Sequence, residues 1–317
     1  MAPAAVDPRN GALWSERLTV ALDVAADFSA GVPIDSLVDL LPEGAPTGAE
    51  VTSWIRSHIP DRPIRDGIVY PCANELLPDD PVQRRARAAE FLSRASDAFP
   101  RPMREVDPWI RCVAVTGSVA YGSAHPGDDL DFLVVTRRGA VWFFLGSVFL
   151  LRRLRPPSGE ARGPQRTCFN YVVDDAQILR DYRIPRGLLF AREALTAKVL
   201  SGDAFYRGLL GSSAWLEHEA PRLLSRWKEG GEFPSPPTSE RAPWLVRLLN
   251  VPLFFVLGAY LQLAGLVRNR RLRRSGAPDL CFRTTTAPGR LTYSSRRFWR
   301  LSAAYSRASI TGRWEDD

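Results

Sequence analysis

The feature that most narrows what this chain can fold into lies near its middle. An apolar run, Val113-Ala114-Val115-Thr116, breaks at Gly117-Ser118 and, after the ten-residue spacer Val119 to Asp128, resumes as Asp129-Leu130-Asp131-Phe132-Leu133-Val134-Val135. Asp129 and Asp131 are two apart on an expected strand, so both carboxylates leave one face while Leu130 and Phe132 enter the core. Two like charges so close repel, and the natural compensation is a divalent cation with oxygen ligands on one side and water and phosphates on the other, a magnesium site rather than a zinc or calcium cage. A strand ending in Gly-Ser before a helix lets backbone N–H groups and a hydroxyl approach phosphate oxygens where the helix dipole favours anions. Gly117 permits that approach and Ser118 donates.

The flanking sequence supplies further elements. Leu18, Leu22, Ala25 and Phe28, then Ile34, Leu37, Val38 and Leu41, then Val51, Trp54, Ile55 and His58 recur at helical spacing, separated by Gly31-Val32-Pro33 and by Pro42 to Pro46. A hairpin around Asp66-Gly67 follows, and three helices with a hairpin make a winged helix over 14–75. A helix from Pro81 to Phe99 leads into strands at Cys112–Thr116, Leu130–Thr136 and Thr167–Val173, with a buried helix at Val141–Leu151. Beyond these, helices are expected at about Leu188 to Leu200 and Phe205 to Trp227, and a very apolar one at Leu245 to Val267. The fold class is therefore α+β. A winged helix (14–75) precedes an α/β core with a small mixed sheet (81–202), and a helical, arginine-rich region (203–317) follows.

The central run resembles the signature of the polymerase-β-type nucleotidyltransferase superfamily: an apolar strand, Gly-Ser, a spacer of about ten residues, then Asp-apolar-Asp-apolar. The resemblance implies that Gly117 and Ser118, with Gly122 in the same segment, engage a nucleoside triphosphate, and that Asp129 and Asp131 bind a pair of magnesium ions. It extends to uncharacterised bacterial nucleotidyltransferase-domain proteins that carry an N-terminal winged helix and a Cys-x-Asn-aromatic third strand, here Cys168-Phe169-Asn170-Tyr171. Active members place a third carboxylate on that strand. Alternation puts Cys168, Asn170, Val172 and Asp174 on one face, so the equivalent position is Asn170, which can coordinate metal but cannot act as a base. Asp174 or Asp175 would substitute in another register. The expected activity is magnesium-dependent transfer of a nucleoside monophosphate to an unidentified acceptor, with release of pyrophosphate. The alternative is a catalytically weakened nucleotide-binding or regulatory protein with winged-helix output.

Composition adds limits. Four scattered cysteines without a CxxC pair argue against zinc, and the opening MAPAAVDPRN lacks the basic start and apolar run of a secretory signal, so a cytoplasmic protein is expected. The net charge of +7 rests on arginine, because Lys198 and Lys228 are the only lysines. Arginines crowd residues 241–313, a region suited to phosphates or polyanions. Arg296, Arg297 and Arg300 are candidates to close over a triphosphate. The third helix offers Arg56 and His58 against Glu50, a weak grip on DNA that favours a packing role. Leu245–Val267 is long enough to reach across a bilayer, and Arg268 to Arg274 follow it like an anchor. Arg247, Asn250, Pro252 and Gln262 interrupt it, which favours a buried or interfacial helix over a spanning one.

Overall fold

The computed structural model describes residues 8–27, 30–42, 44, 46–71, 81–98, 109–154 and 167–311. The first elements are α1 (Pro8–Asp27), β1 (Val32–Pro33), α2 (Ile34–Val38), α3 (Gly48–His58), β2 (Ile64–Arg65) and β3 (Ile68–Val69). Thr47 and Glu50 close a reciprocal capping box at the start of α3, satisfying N–H groups that the first helical turn leaves without partners. Asp66 and Gly67 both adopt positive φ, 49° and 73°, the backbone a two-residue hairpin needs to match strand twist. The segment Gly31-Val32-Pro33, expected only as a breaker, contributes β1, and the three short strands pair antiparallel in the order β1-β3-β2.

After α4 (Pro81–Ala98) comes the main sheet, built on β4 (Ile110–Thr116), β5 (Leu130–Thr136) and β6 (Thr167–Asp174). One-turn α5 (Gly117–Ala120) joins β4 to the spacer, and α6 (Val141–Leu154) follows β5. Next come α7 (Asp175–Arg183), α8 (Gly187–Thr196) and β7 (Lys198–Ser201). They are followed by α9 (Asp203–Gly211), α10 (Trp215–Glu219), α11 (Pro221–Glu229) and α12 (Trp244–Arg274). The described chain ends with β8 (Phe282–Ala287), β9 (Arg290–Ser295) and α13 (Arg296–Arg307).

The region after residue 203 is therefore not wholly helical, as its composition suggested. Strands β8 and β9 extend a six-stranded mixed sheet of order β7-β4-β5-β6-β9-β8, in which only β5 and β6 run parallel. The Thr284-Thr285-Thr286 run suits a pleated, half-buried surface, and Pro288-Gly289 turns the hairpin. The helix expected to reach Leu200 stops at Thr196, and Lys198–Ser201 instead add the edge strand β7 beside β4.

Alternation along β4 and β5 divides the apolar core. Val113, Val115, Phe132 and Val134 face α4 and α6, whereas Cys112, Ala114, Leu133 and Val135 face the opposite side. That second side is continuous from Leu18, Leu37 and Ile55 through α7 to α11 and on to Tyr305 and Ala308. Arg17 is fully buried within it, donating to the carbonyls of Leu40, Glu219 and Ala308 and to the Glu219 carboxylate at 2.7 Å. The first helix is thereby fastened to the last third of the chain. A second buried ionic cluster lies beside β6, where Asp181 accepts from Arg186, Arg290 and the Tyr171 hydroxyl.

Candidate active site

The site grows from the end of β4. Thr116 pairs with Asp131 across the antiparallel ladder, so the Gly117 turn is set directly against the second carboxylate of the Asp-x-Asp pair. Gly117 has φ +72°, and a Cβ placed there would lie 2.6 Å from Asp131 Oδ2. Glycine is required twice over, by the left-handed backbone and by the close approach. Gly122 also has positive φ, and its N–H bonds the Val119 carbonyl to close the turn after α5.

Asp129 lies one residue before β5 and Asp131 one residue inside it. Burial, with Asp129 and then Asp128 adding their negative charge, pushes the Asp131 carboxyl up to about 7. Two carboxylates so close favour keeping one protonated, and a cation between them would favour ionising both. Asp128 is half-buried and holds the turn together: Oδ2 accepts from Ser118 Oγ at 2.7 Å and from the His125 N–H at 2.9 Å. The Ser118 hydroxyl is therefore committed to Asp128 in this state. Because α5 is a single turn, its dipole adds little to anion binding, and whatever the loop offers an anion comes from individual N–H groups.

The third strand departs from simple alternation. Asp131 pairs with Cys168 but Leu133 pairs with Tyr171, so β6 carries one extra residue, a β-bulge. Asn170 and Tyr171 consequently both line the same cavity as Asp131, while Phe169 and Val172 enter the opposite core. Asn170 Oδ1 is buried and has no hydrogen-bond partner among the described residues, an oxygen left for a ligand to satisfy. Asp174 falls after the bulge and pairs with Thr136, five residues along β5 from Asp131, or roughly 17 Å at strand rise. It caps α7 through the Gln177 N–H, and Asp175 accepts from Ser239 and the Glu240 N–H. Neither reaches the Asp131 cavity.

A carboxylate that the sequence reading missed does reach it. Glu193, on α8, lines the cavity with Gly117, Asp131 and Asn170, accepts from the Gly117 N–H at 3.4 Å and receives the Tyr121 hydroxyl. Burial pushes its carboxyl up to about 7, against the lowering effect of the Gly117 N–H. Nothing in the apolar periodicity of α8 marks Glu193, and only the packing of that helix over the end of β4 brings it in.

The cavity has a volume of about 360 Å³ and runs from this acidic end to an aromatic wall that includes Tyr171, Tyr182, Phe190 and Tyr206. Ser294, Ser295 and Phe298 also line it. Of the three candidate arginines on α13, Arg297 feels the negative charge of Asp128, whereas Arg300 is paired with Asp279 away from the cavity. No group of three or more His, Cys, Asp or Glu side chains suited to a metal is present among the described residues. The oxygen donors lining this end are the Asp131 and Glu193 carboxylates and the Asn170 amide, with the charge of Asp129 acting on Asp131, a set that fits a hard divalent cation keeping much of its shell as water and phosphate.

No curated protein and no solved structure matches the chain. A family comparison does: residues 102–162, which hold the Gly117 turn, the spacer and the Asp-x-Asp strand, match the family described as the nucleotidyltransferase domain. This segment of the mixed α+β fold is thus similar to a nucleotidyltransferase domain of the polymerase-β type, a likeness that supports general nucleotidyl transfer.

Proposed function

We propose that this protein moves a nucleoside monophosphate from a nucleoside triphosphate to an acceptor hydroxyl, with Asp129 and Asp131 holding magnesium beside the Gly117 turn. The observation that carries the reading is the seating of Asp131 against Gly117, its carboxyl pushed up to about 7 in the cavity that Asn170, with its unpaired oxygen, also lines. Bound magnesium would neutralise the developing charge on the phosphates. Asp129, Asp131 and Asn170 Oδ1 would supply its protein ligands. Glu193 takes the role of the carboxylate missing from β6. With its carboxyl near 7 it is suited to accept the acceptor's proton. The acceptor oxygen then bonds to the α-phosphorus, the bond to the β-phosphate oxygen breaks, and pyrophosphate leaves.

A second reading has its own support. In this state Glu193 holds the Gly117 N–H and Asp128 holds the Ser118 hydroxyl, the two donors assigned to phosphate. A triphosphate that displaced both contacts would still meet Asn170 where active members carry a carboxylate, and would be bound without turnover if Glu193 did not act as the base. We read residues 14–75 as a winged-helix unit, from the element order α1-β1-α2-α3-β2-β3, with a packing rather than a DNA-reading role because its apolar side belongs to the shared core. The nucleotidyltransferase unit spans 81–202, and 203–317 completes its sheet.

The test is titration of ATP and the other triphosphates with magnesium, followed by pyrophosphate release in cell extract. Wild type should release pyrophosphate, with Asp131→Asn and Glu193→Gln lowering the rate by at least about a hundredfold. Binding without release selects the second reading.

A further inference from the structure

Helix α12 is apolar on a face that no described part of the chain covers. Its inner face is well fixed. Asn250 accepts the N–H groups of Trp142 and Phe143, Gln262 donates to the Thr284 carbonyl and Thr286 hydroxyl, and Asn269 bonds both backbone groups of Phe282. Gly258 and Gly265 let the helix lie close to Trp142 and to Phe282 and Thr284. At 100° per residue, the exposed apolar side chains fill roughly half the circumference. They include Leu248 (60 %), Phe255 (65 %), Val256 (67 %), Leu263 (63 %) and Leu266 (67 %). Phe149 and Leu150 of α6 widen the same surface, with Phe149 edge-on to Tyr260 at 5.7 Å. A soluble monomer seldom exposes more than a few hundred Å² of continuous apolar surface.

Charge identifies what covers it. Trp244–Arg274 contains no acidic residue, and exposed Arg270, Arg273 and Arg274 continue the apolar face beyond Val267. By length and composition the helix is able to cross a bilayer. Its inner contacts argue otherwise, because spanning would draw β8, the edge strand of the sheet, into hydrocarbon with its outer N–H and C=O groups unmatched. We propose that α12 lies in the plane of an anionic bilayer, its outer face among the acyl chains and the arginines on the headgroups. A partner helix would cover a stripe nearer a third of the circumference, leaving much of this surface wet.

The experiment is flotation of the full chain with vesicles of phosphatidylcholine alone and of phosphatidylcholine with phosphatidylglycerol, at low and high salt. The expected result is retention on the anionic vesicles only, weakened by salt and released by alkaline carbonate. Arg270→Gln/Arg273→Gln/Arg274→Gln should weaken it about a hundredfold, from the contribution of three basic residues near an anionic surface. Leu248→Asp/Phe255→Asp/Leu263→Asp should abolish it without moving the unfolding midpoint, since those side chains touch water. Three results would each overturn the proposal. They are retention that carbonate does not release, absence of binding to either vesicle, and a dimer in analytical ultracentrifugation that the aspartate variant dissociates. The last would assign the face to a second copy of the chain.

Discussion

Raising the pH should tighten magnesium binding, and two carboxyls set by how much. Asp131 and Glu193 are each pushed up to about 7 by burial, with the neighbouring aspartates adding to the effect on Asp131. One unit below its pKa a carboxyl is roughly nine-tenths protonated, and one unit above it roughly one-tenth. A cation that binds only the ionised form of Asp131 therefore binds about tenfold more tightly near pH 8 than near pH 6. If Glu193 must ionise as well, the factor is about a hundred. The sign for the metal-free protein follows from the same shifts. Both groups hold protons more tightly folded than unfolded, so the stability they confer is whole below about pH 4 and is lost as the pH rises through about 7. Magnesium should offset that loss, raising the unfolding midpoint more near pH 8 than near pH 6. A tenfold gain in affinity corresponds to about 1.4 kcal/mol, a shift of a few degrees. Calorimetric titration of magnesium with a nonhydrolysable triphosphate, run in buffers of different ionisation enthalpy, counts the protons released. One proton assigns the dependence to Asp131, two bring Glu193 into the site, and Asp131→Asn should abolish it. Equal affinity of wild type near pH 6 and pH 8 would refute the reasoning.

Other outcomes follow from the geometry. Gly117→Ala forces a side chain into positive φ and to within 2.6 Å of Asp131, so pyrophosphate release should fall by at least about a hundredfold, measured beside an unchanged circular dichroism spectrum. Arg17→Met strands the buried Glu219 carboxylate and should cost about 3–5 kcal/mol in denaturant unfolding, and an unchanged midpoint would contradict the packing of α1 against the C-terminal third. Asn170→Asp adds a negative charge beside Asp131 and should tighten magnesium binding near pH 8, read by the same titration, while lowering the metal-free unfolding midpoint.

The parts of the fold legible in the sequence were those whose local signals agree with their burial. The strands at Cys112–Thr116 and Leu130–Thr136 are short apolar runs bounded by turn residues, and the Asp66-Gly67 hairpin has the residues its backbone requires. Strands β8 and β9 were less visible because their threonines and serines carry little hydrophobic contrast, half-exposed along β8 and buried at Thr292 and Ser294 of β9, although Pro288-Gly289 marked their turn. Within the site, the Gly117 and Asp131 neighbourhood follows from one strand pairing with the next. Glu193 does not, since a carboxylate on an apolar helix looks like a solvated residue until the helix is folded over the end of β4. The Asp174 alternative fails for a different reason: alternation assumes an unbroken ladder, and an inserted residue reverses the pleat beyond Asn170.

That inserted residue also shapes how the strand tolerates change. On a regular strand only every second position looks into a given cavity, but here two consecutive ones do, Asn170 and Tyr171. An acid introduced at either would reach the pocket, yet the second is already spent anchoring Asp181 through its hydroxyl. Deleting one residue at this point would make the ladder regular and leave Tyr171, Val172 and Val173 opposite Leu133, Val134 and Val135, facing as they do now. A single-residue deletion beyond Tyr171, where the ladder has no residue to spare, should therefore be far more damaging than one at the bulge.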